Sequence, residues 1–170
     1  VLESTSSPSF EKSYTLYDYK ARPIRTFKQN YLGGYVQIDT QLDFIGKTLY
    51  TKTLHKRIQS NSELNIQKFF QYSNEERLIS IIQIINNDQE LIAKYEYDEL
   101  GELIRKNIGG SDLTGNHAYQ KVDFNYNIRG WLKGINNIDN LSLENDPEDL
   151  FAFKINYDEV EQVSGYEGKP

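Results

Sequence analysis

The sequence contains no cysteine and no methionine, and its 170 residues include only four prolines, two histidines and one tryptophan. Without cysteine, the chain can form neither a disulfide framework nor a thiolate metal site. Because a natural start places methionine first unless it is removed, we expect Val1 to be an internal position of a longer protein. Residues 1–12 are typical of a linker or a disordered end, and they show no signal-peptide pattern.

Long apolar runs and excess positive charge are also missing. The longest apolar clusters, 78–85 and 91–97, contain polar residues and fall short of the roughly 18 apolar residues that a membrane-spanning helix needs. The net charge is −6 and the pI is about 5.0, so the chain is not suited to neutralising nucleic-acid phosphates. We therefore expect no membrane span and no nucleic-acid partner.

Aromatic residues are plentiful, at 13% of the chain with 13 tyrosines, and apolar and polar residues alternate with the period of a β-strand. In segment 121–126, Val122, Phe124 and Tyr126 share one face. The other alternating sets are Leu91, Ala93, Tyr95 and Tyr97, and Phe151, Phe153, Ile155 and Tyr157. The apolar segment 78–85 fits either a central strand buried on both faces or a short buried helix.

The chain repeats a short frame: an aromatic residue at position 1, Asp, Asn or Ser at position 2, and Gly at position 5. Position 1 recurs at spacings of 25, 30, 25, 29 and 31 residues. The six copies of position 1 are Tyr17, Leu42, Tyr72, Tyr97, Tyr126 and Tyr157; those of position 2 are Asp18, Asp43, Ser73, Asp98, Asn127 and Asp158; those of position 5 are Ala21, Gly46, Glu76, Gly101, Gly130 and Glu161.

The frame has the residue preferences of a type I turn, which favours Asp, Asn or Ser first and Gly fourth. It therefore predicts one hairpin per copy, with looser or different turns where Glu76 and Glu161 replace Gly. Pro23 cannot donate to a sheet ladder, so we expect it at a strand start or an edge.

The polar segments 57–63, 86–90, 109–120 and 136–147 are predicted to be loops, with one short helical turn at 146–149, where Asp146 would cap Pro147. A lone hairpin is marginal in water, so the hairpins should stack and bury their aromatic face in a shared core. The sequence thus predicts an all-β, antiparallel, curved and strongly twisted sheet built from hairpin repeats over residues 13–170. Unpaired edge strands could dimerise in isolation.

The motifs at 95–109 (YEYDELGELIRKNIG), 122–136 (VDFNYNIRGWLKGIN) and 149–158 (DLFAFKINYD) resemble the RHS/YD-repeat family, specifically the repeat region of large RHS-type proteins of Bacteroidetes. The resemblance covers roughly residues 15–170. It implies a sheet that spirals into a hollow shell, which in several members encloses a toxic C-terminal domain and in others serves adhesion. It also implies a secreted or cell-surface location. The family's self-cleavage segment and toxin domain have no counterpart in this sequence.

Candidates for chemistry are few. His55 and His117 each lack a nearby ligand or triad partner in the sequence. An acid pair such as Asp98 with Glu99 or Glu102 would have its side chains pointing apart on a turn. The acidic segment 145–149 lacks the ligand alternation of a calcium loop. We therefore expect no catalytic residue, metal or cofactor.

Two further features could serve either structure or ligand binding: the paired glycines and Trp131. Gly33-Gly34 and Gly109-Gly110 lack a phosphate-binding frame and are interpreted as turn glycines. Trp131 could stack on a glycan or pack against the sheet. The leading hypothesis is a non-catalytic scaffold segment whose partners are flanking repeats and an enclosed or displayed domain of the same protein. The alternative is a module that binds carbohydrate or the cell surface, and an enzyme is the least favoured.

Overall fold

The computed structural model describes residues 10–142 and 146–157, so the predicted turn residue Asp158 and linker residues 1–9 lie outside it. Strands account for the regular structure in these ranges. They are β1 (Ser13–Tyr17), β2 (Pro23–Gln29), β3 (Gly33–Leu42), β4 (Thr48–Ile58), β5 (Leu64–Tyr72), β6 (Leu78–Ile85), β7 (Asp88–Tyr97), β8 (Leu103–Ile108), β9 (Gln120–Tyr126), β10 (Leu132–Ile135) and β11 (Phe153–Lys154).

The strands form a single open sheet in which each strand pairs with its neighbours along the chain. All pairings are antiparallel, from β1 with β2 to β10 with β11. The all-β, antiparallel prediction is therefore confirmed. Pro23 opens β2, as expected of a residue that cannot donate to the ladder.

The expected helical turn at 146–149 is wrong, because the backbone there is not helical. Asp146 Oδ2 instead accepts a bond from Lys121 Nζ of β9 at 3.1 Å. This bond ties the Asp146 side chain to β9, and its other carboxylate oxygen, Oδ1, is buried without a hydrogen-bond partner among the described residues.

The expected shared core is also wrong for the part of the chain that the structure describes. Only Leu91, Ala93 and Ala118 are buried hydrophobic residues there. Segment 78–85 is a strand, β6, in the middle of the sheet, but its residues other than Ser80 are only half-buried. The reason is the architecture: a single sheet has no second layer to cover its faces.

Each of the five described hairpins that carry the frame contains a one-residue β-bulge just after its turn. In the fourth hairpin, Tyr97 pairs with Leu103 and Glu96 pairs with Arg105, which leaves Ile104 unpaired. The equivalent bulged residues at position 8 are Ile24, Leu49, Ile79 and Lys133. Because a bulge bends its strand and increases the right-handed twist, this repetition curves the sheet in a regular way.

A further bulge at Ile92 overturns the predicted grouping of Leu91 with Ala93. Ile81 pairs with Ala93 and Ile82 pairs with Leu91, so Ile92 is the extra residue. Leu91 therefore shares a face with Lys94, and both lie beneath Gly115 of the loop that follows β8. This loop makes Leu91 the largest fully buried side chain.

The face that carries Leu91 also carries cross-strand ion pairs, and we call it the ion-pair face. Arg25 of β2 bonds Asp39 of β3, directly opposite it. Near the other end of the sheet, Arg105 Nε of β8 lies 2.6 Å from Asp123 Oδ1 of β9. Opposite charges on paired residues favour this strand register over a one-residue slip.

Candidate functional site: the junctions between hairpins

The five described copies of the frame form the same turn. In each copy the N–H at position 5 donates to the carbonyl at position 2, as from Gly101 to Asp98 at 3.0 Å. The N–H at position 2 donates to the carbonyl at position 6, as from Asp98 to Glu102 at 3.0 Å. The residue at position 5 has a positive φ. This is a three-residue hairpin loop in which a type I turn ends in a left-handed residue.

The side chain at position 2 braces the turn from within. Asp98 Oδ1 accepts the N–H of Glu102 at 2.8 Å, and Asn127 Oδ1 accepts the N–H of Trp131 at 3.0 Å. Asp43 makes the equivalent bond, whereas Ser73 makes a longer one of 3.2 Å. Asp and Asn thus satisfy backbone donors that the turn leaves free.

The lowered pKa values of two carboxylates at position 2 are consistent with these hydrogen bonds. The backbone N–H of Arg22 is the main cause that lowers the pKa of Asp18. Burial raises the pKa of Asp43, but bonds from the backbone of Lys47 and Gly46 outweigh it and lower the pKa overall. Both carboxylates are therefore held in the charged form that accepts hydrogen bonds.

The expectation of a looser turn at Glu76 is wrong. Glu76 N–H donates to the Ser73 carbonyl at 3.0 Å, and Glu76 takes a φ of 66°. Ala21 at the same position has a φ of 59°. The backbone therefore imposes the left-handed conformation on residues other than glycine, with the strain that this brings. Glu161 lies outside the described residues.

Four of the tyrosines at position 1, all but Tyr17, each join their strand to the hairpin before it. In each case the phenol donates to the backbone carbonyl at position 7, the first residue of the second strand of the preceding hairpin. The bonds run from Tyr72 to Thr48 at 2.9 Å, Tyr97 to Leu78 at 3.0 Å, Tyr126 to Leu103 at 2.9 Å and Tyr157 to Leu132 at 2.8 Å. We call this series the tyrosine ladder.

Burial raises the pKa of Tyr72, Tyr97 and Tyr126. Nearby carboxylates contribute to the pKa shift, Asp43 at Tyr72 and Glu102 at Tyr126. These phenols therefore keep their protons over the ordinary pH range and remain donors to the ladder.

The side chain at position 6 adds packing at the same junctions. Lys47 Nζ lies 5.0 Å from the centre of the Tyr72 ring, and the Arg77 guanidinium lies 5.8 Å from that of Tyr97. A Cβ at Gly101 would lie 2.2 Å from the Arg77 guanidinium. Glycine at position 5 therefore both permits the turn and makes room for the preceding hairpin.

Leu42 leaves a gap in the ladder, because it has no hydroxyl to donate. At this junction, Arg22 Nη1 donates to the carbonyl of Asp43 at 3.1 Å and to that of Phe44 at 3.2 Å. Lys20 Nζ donates to the Phe44 carbonyl at 2.8 Å. Cationic side chains of the first hairpin thus bond turn carbonyls of the second, in the opposite direction to the phenol bonds, which run from a hairpin to the one before it.

Trp131 occupies position 6 of the fifth copy of the frame, and its side chain packs at the junction with Tyr157. Its ring lies 5.3 Å from that of Tyr157, and the Arg129 guanidinium lies 5.2 Å from its centre. The side chain is still 47% exposed. It therefore packs on the following tyrosine as Lys47 and Arg77 do, with one edge in solvent.

The remaining candidates lie apart from each other. His55 is in β4, opposite Leu64, while the His117 side chain is 88% exposed and lies 3.1 Å from the carboxylate of Asp112. Asp98 accepts the backbone N–H of Glu102, so these two carboxyl residues act in a turn. Within the described ranges, no group of three or more His, Asp or Glu side chains could hold a metal.

One copy of this turn was not predicted from the sequence. It joins β2 to β3, at the opposite end of the strands from the other turns. Asn30 N–H donates to the Gly34 carbonyl at 2.9 Å, and Asn30 Oδ1 accepts the N–H of Gly34 at 2.8 Å. Gly33 has a φ of 77°. The signal was present as Asn-x-x-Gly, but the residue before it is Gln29 rather than an aromatic.

No family model matches this chain, and no curated protein sequence matches it significantly. The described residues contain no helix that is long and apolar enough to cross a membrane.

Proposed function

We propose that this chain is a non-catalytic structural scaffold segment of the RHS/YD-repeat type, part of a curved β-wall that encloses or displays another domain of the same protein. The observation that carries the proposal is the tyrosine ladder, in which four successive phenols bond the preceding hairpin at equivalent carbonyls. Contacts repeated at four successive junctions suit a wall that extends by adding units, whereas a catalytic site is a single convergent constellation.

The outer edge of the sheet supports the same role. β1 is the first strand of the sheet, and in the described part of the chain no strand pairs with its outer side. Tyr17 occupies position 1 of its frame and is 60% exposed, without an acceptor for its phenol among the described residues. A preceding hairpin of the same type would pair with β1 and supply that acceptor.

Electron microscopy of the full-length protein tests this proposal. We expect the sheet to continue beyond β1 and to surround or flank another domain. Limited proteolysis supplies a second measurement: Tyr97→Phe and Tyr126→Phe together should open the wall and make the enclosed domain easier to cleave. A full-length structure in which this sheet ends at β1 and contacts no other domain would refute the scaffold role.

An enzymatic role predicts a different result. A hydrolase panel on the isolated chain should give no turnover that depends on its histidines. If His55→Ala or His117→Ala abolished a measurable activity, the scaffold proposal would have to be abandoned. The glycan alternative based on Trp131 has weaker support, because Tyr157 already packs against its ring.

A further inference from the structure

A small cavity of about 130 Å³ lies on the ion-pair face, over β7, β8 and β9. Its floor is formed by Glu96, Arg105, Asn107 and Lys121, which the strand register places on this one face. The loop that follows β8 and the segment 146–147 complete the wall. The cavity has room for about four water molecules at roughly 30 Å³ each, so it admits only the head of a small ligand.

The wall of this cavity includes a carboxylate that lacks one of its donors. Asp146 Oδ2 accepts a bond from Lys121 Nζ at 3.1 Å, whereas Asp146 Oδ1 is buried without a hydrogen-bond partner among the described residues. The Asp146 side chain is only 12% exposed. A buried carboxylate oxygen without a donor is costly unless a ligand supplies one. Because Asp146 lines the cavity, the fitting occupant is a hydrogen-bond donor.

The second carboxylate of the wall, that of Glu96, is only weakly compensated. Arg105 Nη1 lies 3.5 Å from Glu96 Oε2, farther than the roughly 2.7–2.9 Å of a strong charge-assisted bond. The same guanidinium lies closer to Asp123, with Nε 2.6 Å from Oδ1. Asn107 Nδ2 adds a neutral donor to Glu96 Oε1 at 3.2 Å. Glu96 can therefore accept a further bond from a bound donor.

Negative charge is in excess around the cavity. The ion-pair face of β7, β8 and β9, with the loop 109–119 and the segment 146–149, carries three cations and six carboxylates, a net charge of −3 with histidine neutral. The cations are Lys94, Arg105 and Lys121, and the carboxylates are Glu96, Asp112, Asp123, Asp146, Glu148 and Asp149. Burial raises the pKa of Asp149, and the negative charges of Asp146 and Asp123 contribute to that shift. The surroundings therefore favour a cationic occupant.

The donor groups in the wall favour a nitrogen cation over a metal ion. Calcium takes six to eight oxygen ligands, and within the described ranges no group of three or more His, Asp or Glu side chains could hold a metal. Arg105 and Lys121 also place N–H groups in the wall, where a metal would need lone pairs. A protonated nitrogen instead bonds single carboxylate oxygens.

We propose that this cavity binds a protonated nitrogen group, an ammonium or a guanidinium, which donates to Asp146 Oδ1 and to the carboxylate of Glu96. Asn116 lines the cavity and is exposed, so the group can enter from solvent. The group can belong to a free amine or to a lysine or arginine side chain of another polypeptide segment. The site goes beyond the scaffold role and does not depend on it.

NMR titration of the isotope-labelled chain with methylammonium and methylguanidinium chloride tests the proposal, with sodium chloride at equal ionic strength as the control. We expect saturable shifts of the backbone amides near Gly115 and Lys121. Asp146→Asn, which keeps the shape and removes the charge, should weaken binding at least tenfold. Glu96→Gln should also weaken it and replaces Asp146→Asn if that variant fails to fold. Glu99→Gln, in an exposed turn outside the cavity, should leave the affinity unchanged.

Lysine and arginine with blocked backbone ends distinguish the two sources of the group. If they bind at least as tightly as the small cations, the cavity accepts a side chain from another polypeptide segment. If only the small cations bind, the ligand is a free amine. Both results support a site for a protonated nitrogen.

The proposal would be overturned by shifts that sodium chloride reproduces, by the absence of saturation at high millimolar concentration, or by tighter binding of calcium. Equal binding of neutral acetamide would also overturn it, as would unchanged affinity in both Asp146→Asn and Glu96→Gln. Each of these results would leave the scaffold proposal standing, since that proposal rests on the full-length architecture. Failure of the two proposals is therefore distinguishable.

Discussion

The junction between the first two hairpins that carry the frame is held together by different side chains from those at the later junctions. At the later junctions, a tyrosine at position 1 donates to a backbone carbonyl, as Tyr97 does to Leu78 at 3.0 Å. At the first junction, Leu42 cannot donate, and Arg22 and Lys20 bond the turn carbonyls of Asp43 and Phe44 instead. Hydrogen bonds from side chains to backbone carbonyls therefore join the hairpins at both kinds of junction, but different residues donate them.

The two kinds of junction should also differ in their sensitivity to salt. The phenol bond forms in a half-buried setting, whereas the Lys20 bond is solvent-exposed. A neutral hydrogen bond that is shielded from water is less sensitive to salt than an exposed ionic one. We therefore expect the first junction to be the weaker link of the sheet and the more dependent on ionic conditions.

The largest effect is expected at a turn glycine. Gly101→Val should lower the free energy of unfolding by about 1 to 3 kcal/mol, because a β-branched residue is strained at a φ of 88°. The Arg77 side chain can move away, so backbone strain dominates the loss. Urea denaturation measures it, and Glu76→Ala at the equivalent position is the matched control. Equal losses in the two variants would contradict the account of this turn.

The cationic junction should be next in size. Arg22→Ala should cost roughly 1 to 2 kcal/mol, because it removes two bonds to backbone carbonyls and the contact with Asp18 at 2.7 Å. The loss should shrink as salt is raised, which denaturation at two ionic strengths measures. Arg129→Ala, which removes a guanidinium from an exposed turn, should change stability little. A salt-independent loss at Arg22 would argue against an ionic junction.

The ladder itself can be tested one rung at a time. Tyr97→Phe should cost about 0.5 to 1.5 kcal/mol, because it deletes one hydrogen bond and keeps the ring. Tyr17→Phe makes the same chemical change where the phenol has no described acceptor, and it should have almost no effect on the isolated chain. If both variants unfold at the same urea concentration as the wild type, the ladder bonds contribute nothing.

Restoring the missing rung gives a smaller effect of opposite sign. Leu42→Tyr places a phenol where it can reach the Pro23 carbonyl, the position-7 acceptor of the first hairpin. We expect a gain of about 0.5 kcal/mol, less than a full bond, because Arg22 and Lys20 already hold this junction. In Arg22→Ala the same substitution should stabilise more, which a double-mutant cycle measures. Strict additivity of the two changes would mean that the two kinds of junction are not interchangeable.

The smallest effect concerns pH. The pKa values of Asp18 and Asp43 are lowered in the folded chain, so their contribution to stability is complete above the unfolded value of about 4 and declines as the pH falls through the folded values. Ser73 does not titrate, so Asp43→Ser should make the stability less sensitive to acid below pH 4. Denaturation midpoints at pH 7 and pH 3 provide the measurement. An unchanged acid dependence in Asp43→Ser would show that this carboxylate is not the sensitive group.

The hairpins could be predicted from the sequence because the patterns that mark strands and turns are local. Alternation with period two marks strands, and Asp-x-x-Gly marks a turn because it supplies a side-chain acceptor and a left-handed residue within four positions. Both signals act over a few residues, and strands that pair with their chain neighbours need little else. Asp98 to Gly101 and Asn127 to Gly130 accordingly form turns where the frame places them.

Tertiary structure decided what local pattern could not encode. The acceptors of the ladder are backbone carbonyls, which carry no residue signature, so the role of Leu78 or Leu103 was invisible. The bulge at Ile92 moved Leu91 to the other face, since one extra residue reverses alternation. The absence of a second layer over the described strands followed from topology, because a hairpin pattern reads the same whether its face is covered or left open to solvent.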